Sequence, residues 1–250
     1  MKELSIFPDD IKLAAGAAEF FTLAAQEAIG VRGYFTVAFS GGHTPEQLFK
    51  LLAEPQYSDR IEWSKCIVFW ADERLVPPSS SDSNFNLADL NLLQHVPIPR
   101  HQIHRVKTEE GADAASRYEI EIRGVFEALG ETGPWPQFDL VLLGMGTDGH
   151  TASLMPDSDE VSATNAWVIE PYVPHLETFR VSLSEGAINH AREVLFLVSG
   201  EEKASATARV LEGHADRANL PAQRIRPESG NLFWYLDEAA ASKLRKCQAS

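Results

Sequence analysis

Apolar residues in this chain alternate between short unbroken runs and longer stripes recurring every third or fourth position, so strands and amphipathic helices are predicted to follow one another. The runs at 34–39, 66–71, 138–143 and 194–198 have the length and content of strands buried on both faces of a parallel sheet. Segments 166–170 and 179–183 read as strands too, and 232–236 is the last apolar run. Helical stripes lie between them. Ile11, Ala15, Ala18, Phe21, Ala25 and Ile29 mark a helix over 10–29, capped by Asp9 or Asp10 and ended by Gly30 and Gly33. Tyr118, Ile122, Val125, Phe126 and Leu129 mark another over 111–129, and 45–53, 84–93, 201–211 and 237–246 complete the set. No internal repeat or low-complexity linker divides residues 1–250, so a single α/β domain is expected.

Two strand ends carry most of the candidate chemistry. After 138–143 comes Gly144-Met145-Gly146-Thr147-Asp148-Gly149-His150. Three glycines within six residues permit a tight turn and close backbone approach to a ligand. They place Asp148 and His150 at the carboxyl end of a strand, where open α/β sheets bind ligands. The same glycines match a dinucleotide fingerprint, with Glu170 near the spacing of a ribose-binding acid. That fingerprint opens a full helix, whereas only about two turns fit before Pro156-Asp157-Ser158-Asp159. After 34–39 comes Ser40-Gly41-Gly42-His43-Thr44 and a helix opening at Pro45. Such a loop leaves unpaired N–H groups at the positive end of a helix dipole and suits a phosphate; a plain tight turn is the competing reading. It is not a Walker A loop, and Ala38 stands where a nucleophile elbow needs its first glycine.

Asp72-Glu73-Arg74 closes the run 66–71. In isolation it reads as a solvated ion pair of little consequence; at a strand's carboxyl end it is equally a site candidate. Lys203 falls in the first turn of 201–211, opposed to the helix dipole, and is either solvated or an anion ligand. His95, His101 and His104 have neither a nearby cysteine nor an i, i+4 helical pair and read as surface residues rather than metal ligands.

Composition narrows the partners. The formal net charge is -14 with no block of basic residues, which argues against binding the nucleic-acid backbone. An acidic surface also repels small anions at long range, so cations at an anion site must supply a local positive well. Cys66 and Cys247 make neither a disulfide framework nor a metal cluster, which fits a reducing compartment. The first ten residues lack a signal-peptide core, and no stretch approaches about 18 uncharged apolar residues. A soluble, cytoplasmic protein with no membrane partner is expected.

The motifs can then be set side by side: Phe39-Ser40-Gly41-Gly42-His43-Thr44-Pro45, Ala71-Asp72-Glu73-Arg74-Leu75-Val76-Pro77, Asn84-Phe85-Asn86 and Gly144 to Pro156. They are joined by Arg180-Val181-Ser182-Leu183-Ser184, Ile188-Asn189-His190-Ala191-Arg192, Val198-Ser199-Gly200-Glu201-Glu202-Lys203-Ala204 and Trp234-Tyr235-Leu236-Asp237-Glu238-Ala239-Ala240. In this order and spacing they closely resemble the 6-phosphogluconolactonase family over nearly the whole chain. The resemblance implies a doubly wound, mostly parallel, Rossmann-like sheet flanked by helices, as in glucosamine-6-phosphate deaminase and ribose-5-phosphate isomerase. It implies hydrolysis of 6-phosphoglucono-1,5-lactone to 6-phosphogluconate in the oxidative pentose phosphate pathway, with neither cofactor nor metal. His43 departs from the pattern, since relatives commonly carry Ser there.

On that footing His150 is expected to deprotonate the water attacking C1 and then protonate the departing ring oxygen. Asp148 would orient the ring or stabilise the imidazolium. The oxyanion donor would be Arg74 or the backbone amides of the glycine turn. Ser40, Gly41, Gly42, His43 and Thr44 would hold the 6-phosphate with Arg180 and Lys203, Arg74 being open between phosphate and oxyanion. Neither Ser40 nor Ser153 has a partner base at elbow spacing, which argues against a covalent nucleophile. A monomer or weak homo-oligomer is expected. The rival chemistry is aldose–ketose isomerisation or deamination of an amino-sugar phosphate such as glucosamine 6-phosphate. The deaminases tend to have Asp-Glu-Tyr where this chain has Asp72-Glu73-Arg74, and Ile-Ala-Phe-Asn-Glu-Pro where it has Thr151-Ala152-Ser153-Leu154-Met155-Pro156. A sugar-phosphate-binding regulator would keep the anion site and lose the base; His150 is present, and no helix-turn-helix segment is evident.

Overall fold

The unbroken apolar runs form adjoining strands of a six-stranded, all-parallel sheet in the computed structural model, which describes residues 2–156, 165–173 and 178–245. Numbered in chain order, its strands lie as β1 (Lys2–Phe7), β10 (Asn231–Asp237), β9 (Glu193–Val198), β5 (Leu140–Leu143), β2 (Phe35–Phe39) and β3 (Cys66–Trp70). Successive residues point to opposite faces, and both faces are covered. Leu140 and Leu142 pack into a core with α1 (Asp10–Arg32) and α2 (His43–Leu52). Val141 and Leu143 pack on the other side with Tyr118, Ile122 and Phe126 of α5 (Ala114–Ala128). Each fully buried aliphatic or aromatic side chain contributes about 1.5–3 kcal/mol, which favours unbroken apolar strands over alternating ones.

The chain leaves β2 through α2 towards β3, whereas it leaves β5 for β9 on the opposite side. The carboxyl ends of β2 and β5 therefore flank a topological switch point, the place where doubly wound sheets open a crevice. A small antiparallel sheet stands at that end: β4 (Asp72–Arg74), β8 (Thr178–Leu183) and β6 (Val168–Ile169), with β7 (Tyr172–Val173) pairing β8. It is anchored to the main sheet through Ala71, whose N–H donates to Phe39 O and whose carbonyl accepts from the Leu183 amide, both at 2.7 Å.

Several elements differ from the sequence reading. β1 was unanticipated, because its residues alternate Lys, Glu and Ser with Leu and Ile at a sheet edge and make no apolar run. In α1 the cap is Asp9, the helix passes Gly30 to reach Arg32, and the buried stripe is Leu13, Ala14, Ala17, Ala18, Phe21, Ala25 and Ala28; Ile11 is exposed. α2 opens at His43 rather than Pro45. α4 (Asn84–Ala88) continues as a π-helical turn over Asp89–Leu93, and α5 and α7 (Ala204–Glu212) each follow a 3-10 turn. The strand expected at 166–170 is only two residues long. The short helices α3 (Pro55–Ser58), α6 (Glu185–Asn189) and α8 (Glu238–Ala241) complete the fold. Asp157-Ser158-Asp159, Lys246 and Cys247 lie outside the described residues. Among those described, no helix is long and apolar enough to cross a membrane.

Candidate active site

A cavity of about 490 Å³ opens at the carboxyl ends of the neighbouring strands β9, β5 and β2. Each of these strands runs into a glycine-bearing loop on its rim, Ser199-Gly200, Gly144-Met145-Gly146 and Ser40-Gly41-Gly42. The small sheet supplies the remaining wall.

The loop after β5 carries the imidazole. His150 Nδ1 lies 2.7 Å from Asp148 Oδ1, and that same oxygen accepts the His150 amide at 3.0 Å. The ring's hydrogen bond holds the Asp148 carboxyl well below the usual carboxylate range, so it stays charged. A charged carboxylate fixes the proton on Nδ1 and leaves the Nε2 lone pair free. Gly146 makes room for this pair: a Cβ there would sit 2.1 Å from His150 Nδ1 and 2.5 Å from Asp148 Oδ1. The turn is closed by Gly146 N–H to His150 O (2.9 Å), Gly149 N–H to Gly146 O (3.1 Å) and Thr151 Oγ1 to Gly144 O (2.8 Å). Ala152, which also lines the cavity, has φ 46°, a left-handed conformation that costs about 1–3 kcal/mol outside glycine and is concentrated at functional sites.

The loop after β2 is built for an anion. Gly42 is the N-cap of α2 and provides no side-chain acceptor, so the first amides of that helix are unpaired by any cap. Gly41 packs so closely over Asn84 that a Cβ would fall 1.9 Å from Asn84 Oδ1. Thr44 Oγ1 shares a hydrogen bond of 2.8 Å with Ser199 Oγ, tying this loop to the one after β9. Lys203, at the N-cap of α7 rather than inside it, lines the same cavity. His43 stands at the exposed mouth with Nε2 3.6 Å from Asp10 Oδ2.

On the small sheet, Arg74 and Arg180 are register partners. Both line the cavity, and both have a buried Nε without a hydrogen-bond partner. Arg74 Nη1 donates to Asp82 O at 2.7 Å. Arg180 Nη1 lies 4.0 Å from Asp72 Oδ2, and burial lowers its guanidinium from the ordinary value. Asp72 Oδ2 also accepts Ser153 Oγ at 2.8 Å, and Asn84 Nδ2 donates to Oδ1 at 3.3 Å. Buried Glu73 receives the amides of Arg74, Asn84 and Phe85, each at 2.8 Å, and Ser83 Oγ at 3.1 Å, so it fixes the start of α4 beneath Gly41. Burial pushes its carboxyl up, against the pull of those amides.

A model of the family described as glucosamine-6-phosphate isomerases/6-phosphogluconolactonase matches residues 8–234. The chain belongs to this family. It is 39% identical over 224 residues to a 6-phosphogluconolactonase of Synechocystis sp., covering 88% of each chain. It is 35% identical to a 6-phosphogluconolactonase of Nostoc sp., covering 97% of this chain and 98% of the relative. The solved 6-phosphogluconolactonase from Trypanosoma cruzi superposes with a TM-score of 0.85 at 26% identity, covering 98% of this chain and 97% of that one.

Of the residues singled out in the sequence, Ser40 to Thr44, Arg74, His150, Arg180 and Lys203 line one cavity, and Asp148 joins them through His150. The Ser40 hydroxyl is turned away, donating to Leu142 O at 2.7 Å, and Ser153 is fully buried with its hydroxyl on Asp72. Neither is paired with an imidazole. Asp72, part of the Asp72-Glu73-Arg74 candidate, lines the cavity as well, as do Asp10, Asn84, Ser199 and Asp237, to which the sequence assigns no role in a site. Asn84, Ser199 and Asp237 fall inside family motifs, whereas Asp10 carries only the signal of a helix cap. His95, His101 and His104 do not converge: His104 stacks on Phe69 and bonds Glu121 at 2.8 Å. No group of three His, Cys, Asp or Glu suited to a metal occurs among the described residues.

Proposed function

We propose that this family member hydrolyses 6-phospho-D-glucono-1,5-lactone to 6-phosphogluconate, the lactone-opening step of the oxidative pentose phosphate pathway. One observation carries the reading: an imidazole paired with a charged carboxylate faces the same cavity as two arginines, a lysine and an unpaired helix N-terminus. His150 Nε2 takes a proton from water as its oxygen bonds to C1, and the C1 carbonyl becomes an oxyanion. When that intermediate collapses, the bond from C1 to the ring oxygen breaks and Nε2–H returns the proton to the leaving oxygen. Asp148 stabilises the imidazolium between the two steps. In this reading Arg74, which lines the cavity, is the oxyanion donor, and the amides of Gly146, Gly149 and His150 are committed within the turn. Phosphate binding falls to the first turn of α2 with Lys203 and Arg180.

The chemistry needs no cofactor. The same reading takes the chain as a single-domain cytoplasmic enzyme, monomeric or weakly self-associating, with neither nucleic acid nor membrane as partner. A coupled assay on freshly generated lactone, corrected for spontaneous hydrolysis, tests it. Lactone turnover without ammonia release from glucosamine 6-phosphate is the expected result; the reverse pattern would replace the lactonase with the deaminase.

A further inference from the structure

We propose that the cavity at the amino ends of β1 and β10 is a second ligand site for a carboxylate with an apolar body. Its head would be held by Lys2 and Arg226, and its body by a floor of Val210, Ile225, Leu232 and Trp234. The proposal stands independently of the lactonase reading. The cavity holds about 480 Å³, nearly the volume of the candidate active site and within the range of pockets that take small organic ligands. The two cavities lie at opposite ends of the sheet. Leu232 and Trp234 of β10 line this one, whereas Asp237, at the far end of the same strand, lines the other.

The wall divides by chemistry. Val210, Ile225, Leu232 and Trp234 all belong to the packed core, and Trp234 stacks on Phe196 with ring centroids 3.9 Å apart, which makes the floor rigid. The Trp234 indole Nε1 is buried with no hydrogen-bond partner among the described residues, a donor of the kind folded proteins rarely leave unmet. Lys2 and Arg226 stand exposed at the rim, and Arg226 Nε–H donates to Gln223 O at 3.2 Å. Among the described residues no carboxylate lines the cavity, although acids outnumber bases 36 to 22 in the chain. The acids nearest in sequence are engaged elsewhere. Glu3 is in register with Phe233, which packs on the other face of the sheet, and Glu228 lies 3.5 Å from His190. Burial, and then the charge of Arg226, lower the Lys2 ammonium from its ordinary value, as two cations without a counterion do. An anion held by both turns that repulsion into attraction. A carboxylate suits the pair, since arginine offers it a planar fork and lysine a point charge. The floor rewards an apolar body, which inorganic anions lack, and leaves the hydroxyls of a sugar phosphate without partners.

Calorimetric titration of the full chain with 4-phenylbutyrate tests the proposal, with 4-phenylbutanol as the ligand without a charge and acetate as the ligand without a body. Phenylbutyrate is expected to bind at a single site per chain, more tightly than either control. Lys2→Gln combined with Arg226→Gln should weaken it about 5- to 20-fold, the effect of losing two exposed ion pairs. Both side chains are at the surface, so this variant should fold as the wild type does. Arg180→Ala and Lys203→Ala should bind phenylbutyrate as the wild type does, because those cations line the other cavity. Equal affinity for the alcohol, equal affinity of the Lys2 and Arg226 variant, or no binding at millimolar phenylbutyrate overturns the proposal. Loss of binding in Arg180→Ala or Lys203→Ala overturns it as well, by assigning the ligand to the active-site cavity.

Discussion

Arg74 and Arg180 stand directly opposite each other across the antiparallel β4–β8 pair, two guanidinium groups on one side of a three-residue strand. Opposed like charges cost a sheet about 0.2–1 kcal/mol, and each arginine leaves a buried Nε unsatisfied. An arrangement that is unfavourable when empty becomes favourable once a charged substrate occupies the cavity that both arginines line. A hydrogen bond to a charged group contributes about 1.5–3 kcal/mol, so loss of one cation should raise KM roughly 10-fold or more. Arg180→Ala and Lys203→Ala are therefore expected to raise KM for the phosphorylated lactone and to change unphosphorylated gluconolactone little. Equal losses on both substrates would show that these cations do not read the phosphate.

The Asp148–His150 pair fixes a different observable. General-base catalysis supplies on the order of 10²–10⁴ in rate, so His150→Ala should lose about that much kcat while product binding stays within a few fold. Asp148 is held charged far into acid by its bond from the ring, so it adds no titration near neutrality. The acid limb of the kcat/KM profile should accordingly show loss of a single proton-accepting group. Asp148→Asn should lower kcat by about 10-fold or more without removing that limb. A mutant at His150 that turns over at the wild-type rate would dismiss it as the base.

Gly146 tests whether placement rather than presence of the imidazole matters. A methyl group there would overlap the ring at 2.1 Å from Nδ1, and the ring is the mobile partner. Displacing a catalytic group by about 1 Å costs on the order of 10²-fold. Gly146→Ala should therefore reduce kcat by about that factor, retain phosphate affinity and unfold at nearly the wild-type temperature. Wild-type turnover by this variant would mean that Nδ1 and Asp148 need not be juxtaposed.

How much of this was legible beforehand follows from which interactions are local. The strands β2, β3, β5 and β9 could be read because burial on both faces demands unbroken apolar runs. The glycine turns could be read because glycine is required where side chains or loops crowd the backbone, as at Gly41 and Gly146. β1 and β4 could not. β1 is stabilised by its register with β10, more than 200 positions away, and Asp72-Glu73-Arg74 becomes a strand only because β8 pairs with it. Asp72 illustrates the same limit within the site. Its carboxylate links Ser153, Asn84 and Arg180, which come from three separate parts of the chain, and nothing in its immediate sequence marks it as a junction.

At the opposite end of the sheet, Glu193 opens β9 in a cavity of about 290 Å³ shared with Glu27 and Asp139. Burial, and then the charges of Glu27 and Asp139, push its carboxyl up to about 7. A folded-state value above the unfolded one means that the stability it provides is complete below about pH 4.5 and is lost as pH rises through about 7. Unscreened, a shift of this size corresponds to about 3 kcal/mol; for a half-buried group, roughly 1 kcal/mol is the expected effect. Glu193→Gln should therefore be more stable than wild type to urea at pH 8.5 by about that amount, with the difference closing on descent to pH 4.5. Lactone turnover should match wild type, since Glu193 lies at the amino end of β9 and the active site at the carboxyl end. A Glu193→Gln chain less stable than wild type at pH 8.5 would mean that Glu193 is charged and favourably paired in the folded chain.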